Sequence, residues 1–211
     1  MSSVTTLLVV AKAPVAGRVK TRLCPPCRPE QAAAVAEAAL ADTLEAVLRC
    51  GAERRLLALD GAPGDWLPRG YEVVPQVDGT FQQRLAAAWS EVAGPCVQIG
   101  MDTPQVAPTS LDLGLDRVVA GGSVLGLATD GGWWAIGMPA PVPAIFETVP
   151  MSTDDTGSLQ LTAMRRAGLH PTMLPELRDI DTFDDALAVA TEIPGSRTAE
   201  AVLGLVGSRS A

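Results

Sequence analysis

At 211 residues with 47% hydrophobic side chains, the chain is long enough to bury one large core, and its 4% aromatic content means that core is built from Ala, Val and Leu rather than rings. A formal net charge of −8 excludes the broad basic face that nonspecific nucleic-acid binding requires. No apolar stretch approaches the roughly 20 residues that span a bilayer, so a soluble protein with no membrane partner is expected.

The first element is the apolar run Val4 to Ala11, read as a strand. Its end, L-V-V-A-K-A, has the outline of a signal peptide and A-x-A cleavage site, but no basic residue precedes it, and cleavage would remove both the strand and Lys12. A cytoplasmic location is the expectation. Lys12 to Leu23 follows as K-A-P-V-A-G-R-V-K-T-R-L, with Lys12, Arg18, Lys20 and Arg22 in one loop and no acid before Glu30. These are a quarter of the 16 basic residues in an acidic chain. A strand emptying into such a loop predicts an anion site, with phosphate as the anion: Gly17 lets the backbone come close, while Lys20 and Arg22 supply charge-assisted hydrogen bonds. The competing reading is a solvated cationic turn.

C-P-P-C, Cys24 to Cys27, reads as a rigid turn. Zinc would need a second ligand pair that the single histidine, His170, does not provide, and Pro-Pro blocks the helix start used by redox C-x-x-C pairs. Cys50 and Cys96, isolated among apolar neighbours, read as core. Pro29 to Cys50 carries Ala, Val and Leu at helical spacing, opening on Pro29 and Glu30, and is the longest predicted helix. Arg54 to Asp60 reads as a buried strand closed by Gly61, Pro63 and Gly64, and Tyr71 to Val77 as another.

Thr80 to Val92 returns to helical periodicity, with Thr80 as N-cap and Phe81, Leu85, Ala88, Trp89 and Val92 on one face. A strand over Pro95 to Gly100, a helix over Ser110 to Ala120, and strands over Ser123 to Thr129 and Trp133 to Met138 follow. Beyond a Pro-rich connector come a helix over Asp154 to Ala167, a strand over Thr172 to Leu177 and a helix over Asp181 to Ala190. The tail from Arg197 is weakly amphipathic, frayed at its end, and suited either to a partner in a homodimer or to covering the sheet edge. The alternation predicts a single α/β domain over 1–195, with a mostly parallel central sheet flanked by helices, and a helical tail over 196–211.

In open α/β sheets ligands bind beyond the carboxyl ends of the strands, which singles out two points besides the basic loop. I-G-M-D-T-P delivers Asp102 to the sheet edge, where a carboxylate suits Mg²⁺ or Mn²⁺ and otherwise caps a turn. A-T-D-G-G-W-W places Asp130 where it can bind a polar substrate that approaches the backbone of Gly131 and Gly132, although the glycines also suit a plain hairpin. Of Trp133 and Trp134, which point to opposite faces of a strand, at most one lines a pocket. M-S-T-D-D-T-G and R-D-I-D-T-F-D-D-A set hydroxyls and acids at helix starts, with Ser152 or Thr153 capping one helix, Asp181 or Thr182 the other, and Asp184 and Asp185 in a first turn.

Taken in order, K-A-P-V-A-G-R-V-K-T-R-L, I-G-M-D-T-P, A-T-D-G-G-W-W-A-I-G, P-M-S-T-D-D-T and L-R-D-I-D-T-F-D-D-A resemble the bacterial glycosyltransferase-like proteins related to arsenosugar biosynthesis, within the GT-A-type nucleotide-diphospho-sugar transferase superfamily. The resemblance runs from about Val4 to Ala190. It implies a GT-A-like, Rossmann-like sandwich with a nucleotide held at Ala11, Lys12, Ala13, Gly17, Arg18, Lys20 and Arg22. It also implies a divalent metal on Asp102, with Asp181 or its neighbour Asp179 as second ligand, and substrate contacts from Asp130, Gly131, Gly132, Trp133, Ser152 and Thr153. The segment departs from the D-x-D pair of many glycosyltransferases, since it offers Asp102 alone with Thr103 in the second position. The basic loop is also similar to that of 2-phospho-L-lactate guanylyltransferase and molybdenum-cofactor guanylyltransferases.

Three functions are therefore expected to compete. In the first, a sugar passes from a nucleotide sugar to a small acceptor, with Asp102, Asp130 and Lys20 as catalytic residues. In the second, a nucleoside triphosphate is joined to a phosphorylated small molecule with release of pyrophosphate. The third is a nucleotide-binding module without turnover.

Overall fold

Strand β1 (Thr6–Lys12) is central: Thr6 to Ala11 are buried, and its neighbours on either side are β2 (Arg54–Asp60) and β4 (Cys96–Ile99), both parallel to it. Its side chains alternate, Leu7, Val9 and Ala11 entering one core cluster and Leu8 and Val10 the other, as a strand covered on both faces requires. The computed structural model describes residues 4–207. With β3 (Glu72–Pro75), β5 (Val124–Ala128), β6 (Trp133–Met138) and β7 (Thr172–Leu177), these strands form a seven-stranded sheet in the order β3-β2-β1-β4-β6-β5-β7. All pairings are parallel except those of β6, which runs antiparallel to β4 and to β5.

One face carries α1 (Pro29–Leu48) and α3 (Pro108–Val119), which pack Leu40, Leu44, Leu111 and Leu115 against Leu57, Val97 and Ile99. The other carries α2 (Phe81–Ser90), α4 (Ala144–Glu147) and α5 (Thr156–Arg166), whose Leu85, Trp89, Phe146 and Met164 meet Leu56, Leu125 and Ile136. Each such fully buried side chain contributes about 2 kcal/mol by removal from water. The polar edge of a core aromatic is served as well: Trp89 Nε1 donates to the buried Gln98 Oε1 at 2.5 Å.

Outside α1 lie α6 (Phe183–Glu192) and α7 (Arg197–Gly207), which close a third cluster with Leu23, Val35, Phe183, Val189 and Val202. The apolar stripe of the tail thus meets α1 and α6 rather than the sheet edge, and Thr198 fixes it by donating both its N–H and its hydroxyl to Asp42. Among the described residues no helix is long and apolar enough to cross a membrane. The expected fraying at 208–211 lies outside the described residues.

Strands β2, β6 and β7 fall on their expected residues, and Thr80 caps α2 as expected, its hydroxyl accepting from Gln83 N while Gln83 Oε1 accepts from Thr80 N. Thr182 rather than Asp181 caps α6, paired reciprocally with Asp185. Three expectations are corrected. Neither Ser152 nor Thr153 caps α5: its N-cap is Asp155, without a side-chain bond, and Thr156 Oγ1 instead accepts from Thr153 N. Phe81 is 39% exposed because the ring turns from the core under the Arg84 guanidinium, 5.5 Å from its centroid. The Pro-rich connector holds the short helix α4, whose Ile145 and Phe146 are buried.

Candidate functional site

The site is built at the carboxyl ends of β1, β2 and β4 and along the β5–β6 turn, where a cleft of about 530 Å³ opens. Lys12 ends β1 in solvent, its Nζ 3.7 Å from Asp60 at the end of β2. The loop beyond it turns through a bond from Arg18 N to Val15 O, with Gly17 at φ 76°, a left-handed conformation that costs glycine little. Val19 and Leu23 then bury themselves in separate core clusters, leaving Lys20 between two anchors at φ 47°. This placement sends Lys20 Nζ to 2.8 Å from Asp102 Oδ2, with the lysine side chain only 11% exposed.

Arg22 reaches outward and pairs with Asp181 while remaining 71% exposed. The D-I-D segment is itself fastened to the Asp102 loop, since Ile180 N donates to Asp102 O at 2.9 Å. The cationic loop, I-G-M-D-T-P and D-I-D-T therefore meet through two ion pairs and a backbone bond.

Charge within this cluster is strongly coupled. Burial alone would lower the Lys20 ammonium, but the charge and hydrogen bond of Asp102, with Asp181 and Asp179 behind it, hold its pKa above the ordinary value. Burial, then the negative charges of Asp102 and Asp130, push Asp179 up to about 6, opposed by Lys20. Thr103 is fully buried and its hydroxyl has no hydrogen-bond partner, so the position after Asp102 presents no ligand to the cleft.

Asp130 shapes its own turn: its Oδ1 accepts from Gly132 N at 2.7 Å. At Gly131 the close approach is that of the backbone leading into α5, while Gly132 lines the cleft. A Cβ on Gly131, at φ 88°, would collide with the Asp154 carbonyl oxygen, and Gly157 N donates to Gly131 O at 2.8 Å. Trp133 lines the cleft and packs toward Phe146, ring centroids 6.3 Å apart. Trp134 also touches the cleft but is 2% exposed, its Nε1 bonded to Pro175 O at 3.0 Å. Ser152, in the left-handed region at φ 63°, and Thr153 also line the cleft.

Of the expected nucleotide contacts, Ala11, Lys12 and Arg22 line the cleft; Ala13 is buried, and Gly17 and Arg18 lie exposed on the loop beyond it. Sequence reasoning missed Asp60, Gln76 and Arg84. Gln76 Nε2 bridges Ala11 O and Ala58 O at 2.8 and 3.0 Å, and its Oε1 accepts from Arg84 Nη1 at 3.3 Å. Arg84 Nε is buried without a hydrogen-bond partner. Asp60 ends its predicted strand and Gln76 is next to last in its own, so the rule that nominated Asp102 points to them.

Among the described residues no group of three or more His, Cys, Asp or Glu is arranged to hold a metal unaided. Asp102 and Asp179 nonetheless fit a hard divalent ion completed by ligand phosphates, which is how Mg²⁺ is ordinarily held. Their mutual repulsion is the repulsion a cation would relieve.

This α/β sheet, with one antiparallel strand inserted, is a fold the chain shares with a solved structure provisionally named a nucleotide-diphospho-sugar transferase. The chain belongs to the bacterial family described as "Uncharacterized protein conserved in bacteria (DUF2064)", whose model matches residues 34–153. The match spans Asp102, Asp130 and Ser152 and begins after the cationic loop. A protein of Desulfovibrio desulfuricans G20 provisionally named a nucleotide-diphospho-sugar transferase is 23% identical, with a TM-score of 0.83 over 95% of this chain and 94% of its own. Rv0371c of Mycobacterium tuberculosis H37Rv, solved in complex with manganese, is 23% identical, with a TM-score of 0.60 over 90% of this chain and 100% of its own. CMP:2-keto-3-deoxy-manno-octonic acid synthetase in complex with CTP is 14% identical, with a TM-score of 0.51 over 90% of this chain and 100% of its own. At these identities the likeness is one of fold. No curated protein sequence matches the chain.

Proposed function

We propose that the chain is a metal-dependent glycosyltransferase that holds a nucleotide sugar in this cleft and passes the sugar to a small acceptor. The observation that carries the reading is the convergence of the cationic loop with Asp102 and the Asp179–Asp181 segment at the strand ends. The cleft walls hold five acids, Asp102, Asp130, Asp154, Asp179 and Asp181, against three cations, Lys12, Arg22 and Arg84. An anionic nucleotide therefore enters such a cleft best as a metal complex. The manganese complex of the mycobacterial neighbour is in keeping with this.

In this reading Gly17 and its flanking backbone receive the diphosphate, with Lys12 and Arg18 as the cations nearest solvent. Asp102 and Asp179 would hold Mg²⁺ or Mn²⁺, with Asp181 as reserve, and the ion would supply charge neutralisation to the departing diphosphate. Lys20 adds a buried positive charge beside the same oxygens. Asp130 and Ser152, which both line the cleft, orient sugar or acceptor hydroxyls, and Trp133 offers an apolar face to the ring.

Nucleotidyl transfer with pyrophosphate release is the second reading, favoured by the likeness to the CTP-bound synthetase. Three of the four loop cations, Lys12, Lys20 and Arg22, are already paired with carboxylates, which leaves charge better matched to a diphosphate than to a triphosphate. Incubation with a panel of nucleotide sugars and of nucleoside triphosphates, each with Mn²⁺, separates the two. Nucleoside diphosphate release from a nucleotide sugar supports sugar transfer, sustained pyrophosphate release overturns it, and thermal stabilisation by nucleotide without any product leaves a binding module. The arsenosugar link implied by the motif resemblance belongs to the same proposal.

A further inference from the structure

We propose that Lys20 keeps the cation position at Asp102 closed in the nucleotide-free protein, so that a divalent metal enters together with a nucleotide's phosphates and not before them. The proposal rests on the transferase reading of the cleft.

Lys20 Nζ lies 2.8 Å from Asp102 Oδ2, where a hard cation on that carboxylate would otherwise sit, and the lysine side chain is nearly sealed from solvent. The backbone enforces this position. Val19 is buried in the core cluster beneath α1, Leu23 is fully buried against α6 and α7, and Leu23 N donates to Lys20 O at 3.0 Å to close the turn. An ammonium led inward between two such anchors stays on this carboxylate until another anion is offered to it. Arg22 differs: paired to Asp181 but largely in water, it can exchange partners at small cost.

An ammonium and a divalent ion cannot share one carboxylate oxygen without strong like-charge repulsion in a poorly solvated site. Metal alone would have to displace Lys20 and leave a buried positive charge without a partner. A phosphate removes that conflict. It offers the ammonium a second anion, so Lys20 can swing from Asp102 with its charge still paired, and its oxygens complete a coordination shell that two carboxylates leave short. Metal and nucleotide are then coupled through one lysine, and each raises the affinity for the other by the same factor.

The test is Mn²⁺ binding to the intact chain, followed by the electron paramagnetic resonance of free Mn²⁺, with and without GDP, UDP or CDP and with nucleotide-only controls subtracted. Wild type is expected to bind Mn²⁺ weakly alone and at least about tenfold more tightly with the matching diphosphate. Lys20→Met is expected to bind Mn²⁺ alone at least about tenfold more tightly than wild type, and Lys20→Arg, which keeps the charge, to remain weak. Wild type that binds Mn²⁺ equally well with and without nucleotide overturns the proposal, and this outcome needs no variant to fold. Folded Lys20→Met with unchanged or weaker Mn²⁺ affinity overturns it too. The readout is binding, so failure here is distinct from failure of the transferase reading, which would appear as no product from any donor.

Discussion

At the scale of single residues, Asp102 is the hinge of the site because it faces both a buried ammonium and a second acid, Asp179. Asp102→Asn leaves Lys20 without its counter-charge, and we expect it to lower unfolding free energy by about 2–3 kcal/mol, discounted for the partial exposure of the aspartate, and to abolish Mn²⁺-dependent turnover. Adding Lys20→Met to Asp102→Asn should recover most of the stability and none of the turnover, a coupling that urea denaturation of the four proteins in the cycle would measure. Asp179 gives a prediction in pH. Its folded pKa near 6 lies above the unfolded value of about 3.9, so the folded chain binds the extra proton, and its contribution weakens as pH rises from about 4 to about 6. In metal-free buffer, Asp179→Asn should therefore gain about 1–2 kcal/mol relative to wild type between pH 4 and pH 7, after allowance for solvent screening. Unfolding titrations at the two pH values that show no differential gain would contradict the assignment.

At the scale of elements, glycines decide how closely the β5–β6 turn meets α5. Gly131 and Gly168 both adopt positive φ, 88° and 78°, but a Cβ would strike the Asp154 backbone at Gly131 and meet nothing within 4 Å at Gly168. Gly168→Ala should cost about 1 kcal/mol, from the conformation alone, and Gly131→Ala about 2–4 kcal/mol, because backbone must also move. Equal costs in chemical denaturation would refute the packing role of Gly131. The same turn shows where sequence reading reaches its limit. Short apolar runs and terminal turn residues made β2, β6 and β7 legible, and Thr80 made the start of α2 legible, since these depend on neighbours in sequence. That Gly131 lies against Asp154, that Gln76 seats Arg84, or that Phe81 turns outward depends on residues brought together only by the fold.

At the scale of the whole molecule, α6 and α7 lock the outer face of α1, whose N-terminal end follows the cationic loop through Leu23 and the third core cluster. Val202 is fully buried there, and Val202→Ala should lower stability by about 2 kcal/mol while leaving the cleft residues in place, to be checked by thermal unfolding alongside nucleotide binding. The α/β order and the single sheet were readable from periodicity, and the separate motifs were readable as strand-end chemistry. What periodicity did not contain was their pairing: Lys20 with Asp102, Arg22 with Asp181, and the choice of Asp179 as the acid most perturbed by Asp102. On the proposed function, that pairing makes the cationic loop part of a metal and nucleotide site. The measurement that tests it most directly is anomalous scattering from Mn²⁺ in crystals grown with a nucleoside diphosphate. One manganese held by Asp102 and Asp179 is expected, with the diphosphate against the Gly17 loop and Lys20 turned to a phosphate oxygen. Manganese or diphosphate bound away from Asp102, with Lys20 still on that carboxylate, would contradict it.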